Sequence, residues 1–146
     1  MKAYCDTSFL VSLYTPEANS AAAATHARRT ETTLLLTPLC VLELVNALEL
    51  RLYRRQLTAR EVKAASAAFE EDLAAGLYAL HPVSPAVYEK ARQLSRAHTR
   101  SLGSRSLDIL HVAAALVARA DVLYSFDATQ RRLASTASLA TAPRSG

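Results

Sequence analysis

The chain has 146 residues, of which 51% are apolar, and it carries a formal net charge of +4 with a pI of about 9.3. This length suits one domain with its own hydrophobic core, and the apolar content argues against disorder. No apolar run reaches the length of a membrane span, and the acid at position 6 does not fit a secretory signal, so we expect a cytoplasmic protein.

The basic residues are mostly arginine, which suits phosphate contacts. The excess is compatible with a nucleic-acid partner, although GC-rich coding would give the same composition. Cys5 and Cys40 lie among apolar neighbours, without CxxC spacing or a histidine cluster. This pattern favours two buried, reduced thiols over a zinc site or a disulfide.

Short apolar runs alternate with helical patterns along the first half of the chain. Pro38 suits the first turn of a helix, and Thr58 with Glu61 forms a capping-box pattern at the start of another. In chain order, we predict a strand at 2–5, a helix at 17–31, a strand at 33–36, a helix at 38–55 and a helix at 58–75.

The second half continues the alternation. In chain order, we predict a strand at 77–80, a helix at 84–98, a basic loop at 99–105, a helix at 107–119, a strand at 122–125, a short helix and a last strand near 138–141. One domain over 1–141 is expected, followed by a disordered tail at 142–146. Alternating strands and helices predict a three-layer α/β/α sandwich with a central parallel sheet, which binds ligands beyond the carboxyl ends of its strands.

Four acids stand in apolar or strand-end contexts. Asp6 and Asp127 follow predicted strands, whereas Glu43 and Asp108 interrupt apolar runs. Ionised acids in such places are costly unless they are paired or bound to a cation. Each has an alternative explanation: Asp6 and Asp127 as helix N-caps, Asp108 as a helix-dipole acid, and Glu43 as a partner of a buried arginine. Their occurrence together favours a shared site.

Four carboxylates near the carboxyl ends of parallel strands would repel one another, and a hard divalent cation would relieve this repulsion. Mg²⁺ and Mn²⁺ prefer oxygen ligands and can assist phosphodiester hydrolysis. The acid pattern therefore predicts a Mg²⁺ or Mn²⁺ site that acts on a phosphodiester.

The sequence resembles a PIN domain of the VapC toxin type over nearly its whole length. Four segments carry the resemblance: Asp6-Thr7-Ser8; Leu42 to Leu48; Leu107-Asp108-Ile109-Leu110-His111 with the alanines that follow; and Tyr124 to Asp127 with Gln130 to Ala134. The resemblance implies a Mg²⁺- or Mn²⁺-dependent endoribonuclease. Within it, Asp6, Glu43, Asp108 and Asp127 hold the metal and activate water.

The resemblance also suggests supporting roles. Ser8, Ser125 and Asn46 would assist the acids, although turn, strand-end or solvent-facing roles explain them equally. Arg100 and Arg105 are candidate phosphate contacts, or part of a solvated basic loop. His111 fits a buried structural histidine better than a catalytic base.

A VapC-like protein is expected to act on RNA, to form a homodimer and to bind a small antitoxin. The helices near 41–53 and 62–74 offer apolar positions for such contacts or for the core. Two other functions stay open. One is an aspartate-nucleophile phosphatase, which would need a second aspartate where Ser8 stands, and the other is a PIN-like module that binds RNA without cutting it.

Overall fold

The apolar runs of the chain pair side by side in a computed structural model that describes residues 1–144. They form five strands: β1 (Lys2–Cys5), β2 (Thr33–Leu36), β3 (Tyr78–Leu80), β4 (Val122–Tyr124) and β5 (Ala140–Ala142). All strand pairs are parallel, in the order β3-β2-β1-β4-β5. The central position of β1 explains its three consecutive buried residues, since strands covered on both faces are apolar throughout.

Helices cover both faces of the sheet, which confirms the predicted α/β sandwich. They are α1 (Thr7–Tyr14), α2 (Ser20–Ala27), α3 (Pro38–Tyr53), α4 (Ala59–Ala74), α5 (Pro85–Leu94), α6 (Arg100–Leu102), α7 (Ser106–Val117) and α8 (Ala128–Thr136), with a π-helical segment at Ser95–Thr99. Pro38 lies in the first turn of α3 and Thr58 with Glu61 forms the capping box of α4, as predicted, and Thr37 is the N-cap of α3. Among residues 1–144 no helix is long and apolar enough to cross a membrane.

Leucines and aromatic side chains fill the core between the layers. Leu36, Leu44 and Leu123 are fully buried, as are Phe9 and Tyr124, whose rings lie 5.0 Å apart. Each such side chain stabilises the fold by roughly 1.5–3 kcal/mol through burial. This core holds β1 and β4 in register, and both strands end at the same edge of the sheet.

Two helical regions differ from the sequence prediction. The helix predicted at 17–31 is shorter, because Glu17 accepts a hydrogen bond from Ser12 and pairs with Arg51 3.3 Å away, outside the helix. The basic loop predicted at 99–105 is helical as far as Leu102, and the helix ends at Gly103, whose φ of +63° suits glycine.

The end of the described chain is also more ordered than predicted. β5 extends to Ala142 because that residue pairs with Tyr124 of β4, so Ala142 belongs to the sheet and not to the tail predicted at 142–146. Arg131 donates to the carbonyl oxygen of Pro143 at 2.7 Å and holds the next residue in place. Positions 145–146 of that tail lie outside the described residues.

Candidate active site

The carboxyl ends of β1 and β4 lie side by side and place their following residues around one small pocket. The pocket has a volume of about 110 Å³. All four predicted acids line it, although they come from four separate parts of the chain. Its lining residues are Asp6, Thr7, Ser8, Glu43, Asp108, His111, Asp127 and Gln130.

Asp6 is the most deeply buried of the four acids, with 3% of its surface exposed. Its Oδ1 accepts hydrogen bonds from Ser8 Oγ at 2.6 Å and from the Phe9 amide at 3.0 Å, so it also caps α1. Burial raises the pKa of Asp6, and hydrogen bonds from Ser125, Ser8 and Phe9 offset part of this rise. Asp6 is therefore both the N-cap considered from the sequence and a residue that lines the pocket.

Ser8 and Ser125 connect the loops that carry Asp6 and Asp127. The Phe126 amide donates to Ser8 Oγ at 2.9 Å, and the Asp127 amide donates to Ser125 Oγ at 3.0 Å. The two hydroxyl oxygens are 3.4 Å apart. Both serines thus lie beside the acids, as their predicted supporting role requires.

Asp127 is exposed at the N-terminus of α8. Its Oδ1 accepts a hydrogen bond from the Gln130 amide at 2.9 Å, which makes it the N-cap of this helix. Arg131 donates to the carbonyl oxygen of Ser125 at 2.7 Å and braces the turn before Asp127. The cap leaves Oδ2 without a hydrogen bond among the described residues.

Glu43 projects from the second turn of α3 and contacts His111 of α7 through a short Oε1–Nε2 hydrogen bond. Its partner is therefore a histidine and not the buried arginine considered from the sequence. Burial by itself would lower the pKa of His111, but hydrogen bonds with Cys40 and Glu43 and the nearby carboxylate raise it to about 10.

Asp108 lies in the first turn of α7 and is half-buried. Burial raises the pKa of Asp108, and the negative charges of Asp127 and Glu43 raise it further. Asp127 and Glu43 therefore lie near enough to Asp108 to act on its carboxyl group across the pocket.

Three other predicted residues lie outside the pocket. Asn46 is exposed on α3 and does not line the pocket that Glu43 lines. It is therefore a solvent-facing helix residue in this structure. Arg100 lies in α6 and Arg105 directly precedes α7. Both arginines are exposed and neither lines the pocket.

The structure adds Thr7 and Gln130, which have no role in the sequence prediction, to the pocket, and it also brings the predicted structural histidine His111 there. Gln130 lines it and is 2% exposed, and its amide oxygen and nitrogen have no hydrogen-bond partner within residues 1–144. In the sequence it stands three residues after Asp127 and begins the last segment of the family resemblance. Thr7 lines the pocket beside Asp6, and His111 reaches it as a buried, hydrogen-bonded side chain.

The lining suits a hard divalent cation by its chemistry. Four carboxylates provide oxygen ligands only, and burial raises the pKa values of Asp6 and Asp108, so a cation would favour their ionised forms. As the side chains stand within residues 1–144, no three His, Cys, Asp or Glu residues form a ready metal-binding group. Binding of an ion would thus require these side chains to draw closer together.

Comparisons with solved structures show the same fold in proteins of low sequence identity. VapC20 of Mycobacterium tuberculosis, described as a sarcin–ricin loop cleaving toxin, has a TM-score of 0.69 at 18% identity over 94% of this chain and 95% of its own. VapBC2 of Rickettsia felis, bound to a DNA fragment from its promoter, has 0.67 at 13% over 99% and 100%. FitAcB of Neisseria gonorrhoeae has 0.66 at 17% over 97% and 96%.

These structures are too distant in sequence to assign a family, but a protein-family model does match the chain. No curated protein sequence matches the chain. The model of the PIN domain matches residues 3–135, which contain all four acids of the pocket and nearly the whole sheet. With this match over most of its length, the chain belongs to the PIN domain family.

Proposed function

We propose that this PIN domain is a Mg²⁺- or Mn²⁺-dependent endoribonuclease and the toxin of a toxin–antitoxin pair. One observation carries the proposal: acids from four elements line a single pocket at the carboxyl ends of the strands, and two of them have raised pKa values. Four ionisable carboxylates around one small pocket are costly unless a cation compensates their charge.

The chain's own residues would bind the cation and position the scissile phosphate. Asp6, Glu43, Asp108 and Asp127 would supply oxygen ligands, while Ser8 and Ser125 keep the Asp6 and Asp127 loops together. When bound, a divalent cation lowers the pKa of water and stabilises charge on phosphate oxygens. Cleavage in the manner of the family would leave 5′-phosphate and 3′-hydroxyl ends.

Structural similarity agrees with this proposal. VapC20 is described as a toxin that cleaves the sarcin–ricin loop, and its fold covers nearly all of this chain. The similarity to VapBC2 and FitAcB supports an antitoxin partner. The RNA substrate, the cation and a cytoplasmic location remain predictions for this chain, and Arg100 and Arg105 remain candidate phosphate contacts because both are exposed cations before α7.

The proposed homodimer and antitoxin contacts need exposed apolar surface, and α3 supplies it. Leu42, Val45 and Tyr53 are 64%, 45% and 82% exposed. The apolar side of α4 is different, because Val62 and Phe69 belong to the core. Of the two helical regions considered from the sequence, only α3 therefore offers a face for a partner. Light scattering of the purified protein tests the dimer, and a dimer that persists in Leu42→Asp would place the contact elsewhere.

The decisive experiment compares cleavage of defined RNAs by the wild type and Asp6→Asn in Mg²⁺, Mn²⁺ and EDTA. Asparagine keeps the N-cap at position 6 and removes the charge, so folding is preserved. We expect cleavage by the wild type with either cation and none in EDTA or with Asp6→Asn. RNA binding without cleavage would favour the non-catalytic module, and a phosphoenzyme trapped on Asp6 would favour the phosphatase.

A further inference from the structure

A chain of hydrogen bonds extends from the acid pocket into the core. Tyr4 Oη lies 2.9 Å from His111 Nδ1, and the opposite ring nitrogen of His111 contacts Glu43. Tyr4 Oη also lies 3.2 Å from Thr37 Oγ1 and 3.1 Å from Cys40 Sγ, which donates to it. The residues come from β1, the start of α3 and α7, so side chains far apart in sequence fix the position of one glutamate.

The geometry makes His111 a donor to Glu43 in either protonation state. If the ring is neutral, Tyr4 donates to Nδ1 and Nε2–H donates to the carboxylate. If the ring is an imidazolium, Nδ1–H donates to Tyr4, which donates to Thr37. The remaining tautomer would set a bare Nε2 against the Glu43 carboxylate. The proton count of His111 therefore does not change the direction of its bond to Glu43.

This bond has a consequence for the pocket. Glu43 is one-quarter exposed on a helix surface, where a free glutamate samples many rotamers, whereas the His111 side chain is only 4% exposed and is fixed by its packing. The bond occupies Oε1 and leaves Oε2 for a ligand. Partners of this kind around metal-binding carboxylates orient them and change metal affinity about 10- to 100-fold.

We propose that His111, held in turn by Tyr4, is a positioning residue that orients Glu43 toward a divalent cation. The inference rests on the proposed function only in that it gives the pocket a cation. It assigns no proton transfer to His111, and it gives the buried Tyr4, Thr37 and Cys40 cluster a part in the site.

The test measures Mn²⁺ binding to the RNA-free protein by calorimetry, with His111→Gln and His111→Leu. Both variants are uncharged, but the glutamine amide can donate to Glu43 from near the Nε2 position and leucine cannot. Their comparison therefore isolates the donor from the charge. We expect His111→Gln to bind Mn²⁺ about tenfold more tightly than His111→Leu. Thermal unfolding in EDTA confirms that both variants are folded.

Tyr4→Phe gives a second arm that leaves His111 in place. It removes one hydroxyl from a ring that is 1% exposed, and we expect Mn²⁺ affinity to fall severalfold. Tyr124→Phe is the matched control, because Tyr124 is fully buried on the adjacent strand and takes no part in the hydrogen-bond chain. This control should bind Mn²⁺ like the wild type.

Equal Mn²⁺ affinity of the glutamine and leucine variants would overturn the proposal, as would tighter binding by leucine, which would mark His111 as a competitor of the cation. A wild type that binds no Mn²⁺ would overturn it as well. RNA cleavage is scored separately, so a wild type that cuts RNA while the two variants bind alike would refute the positioning role and leave the ribonuclease standing.

Discussion

Each end of the sheet carries a cavity that is lined by at least one carboxylate. The cavity with more acids is the smaller of the two. At the carboxyl ends, the acid pocket measures about 110 Å³ and holds four acids. At the amino ends, a cavity of about 710 Å³ lies between α1, α2 and α4, and its only acid is Asp72. The larger cavity has the volume of a ligand site, but its lining lacks a cluster of acids.

Asp72, at the amino ends of the strands, has neutral and positively charged side chains around it. Tyr14 Oη donates to its Oδ2 at 2.6 Å, and Tyr78 Oη lies 2.6 Å from Tyr14 Oη. Arg28 and Arg29 line the same cavity. In the acid pocket, by contrast, Asp108 faces further negative charge. The two cavities therefore differ in the surroundings of their carboxylates more than in volume alone, and it is the surroundings that make the smaller pocket the candidate site.

We expect the largest effect, a loss of RNA cleavage, in Asp108→Asn, and this variant tests the contrast between the two ends most directly. We expect RNA cleavage to fall by about 100-fold or more, since even outer partners of a metal site change activity about 10- to 100-fold. Stability in EDTA should not fall, because the substitution removes repulsion from Asp127 and Glu43. Single-turnover cleavage and thermal unfolding measure the two effects.

Asp72→Asn is the matched control at the amino ends. Asparagine still accepts a hydrogen bond from Tyr14, so we expect cleavage at the wild-type rate. If Asp72→Asn abolished cleavage while Asp108→Asn kept it, the assignment of the two ends would be reversed.

The sequence predicted the acids of the pocket best where their placement is local. Asp6 directly follows β1, Asp127 comes three positions after the end of β4, and both cap the next helices, so strand-end and capping patterns located both. Glu43 depends on His111, 68 residues away, and His111 depends on Tyr4, 107 residues away. No periodicity encodes such a contact, because it forms only when β1, α3 and α7 pack together.

The fold followed a similar division. Strand positions and the parallel sheet came from alternation of apolar runs, which local sequence encodes. The segment up to Leu102 has serines and arginines without an apolar period, which predicts a loop, but it continues the helical turn of Ser95–Thr99 and contacts that segment. Gln130 was missed for another reason, since an unpartnered buried amide is visible only in three dimensions.

A smaller effect is expected from Tyr14→Phe, which breaks the arrangement at the amino ends. The substitution removes the hydroxyl that donates to Asp72 and should lower the free energy of unfolding by about 1–2 kcal/mol, because a half-buried carboxylate loses its hydrogen bond. Cleavage should be unchanged. Tyr88→Phe is the control, since Tyr88 is 51% exposed, and it should leave the stability unaltered. Urea titration of the wild type and both variants measures their free energies of unfolding. A loss of stability in Tyr88→Phe would contradict the prediction.

The smallest expected effect is a pH dependence of the stability that Asp108 contributes in the acid pocket. The pKa of Asp108 is raised in the folded state, so the folded protein binds a proton there more tightly than the unfolded chain, whose carboxyl has a pKa of about 3.9. The free energy of unfolding in EDTA should therefore fall as the pH rises above about 4 through the folded pKa. Asp108→Asn removes this loss, so its gain over the wild type should be largest at neutral pH and vanish near pH 3. Solvent screening of this half-buried group keeps the gain below about 1 kcal/mol. A gain for Asp108→Asn that grew toward low pH would mean instead that its carboxylate is stabilised by its surroundings, and it would remove the contrast between the two ends of the sheet.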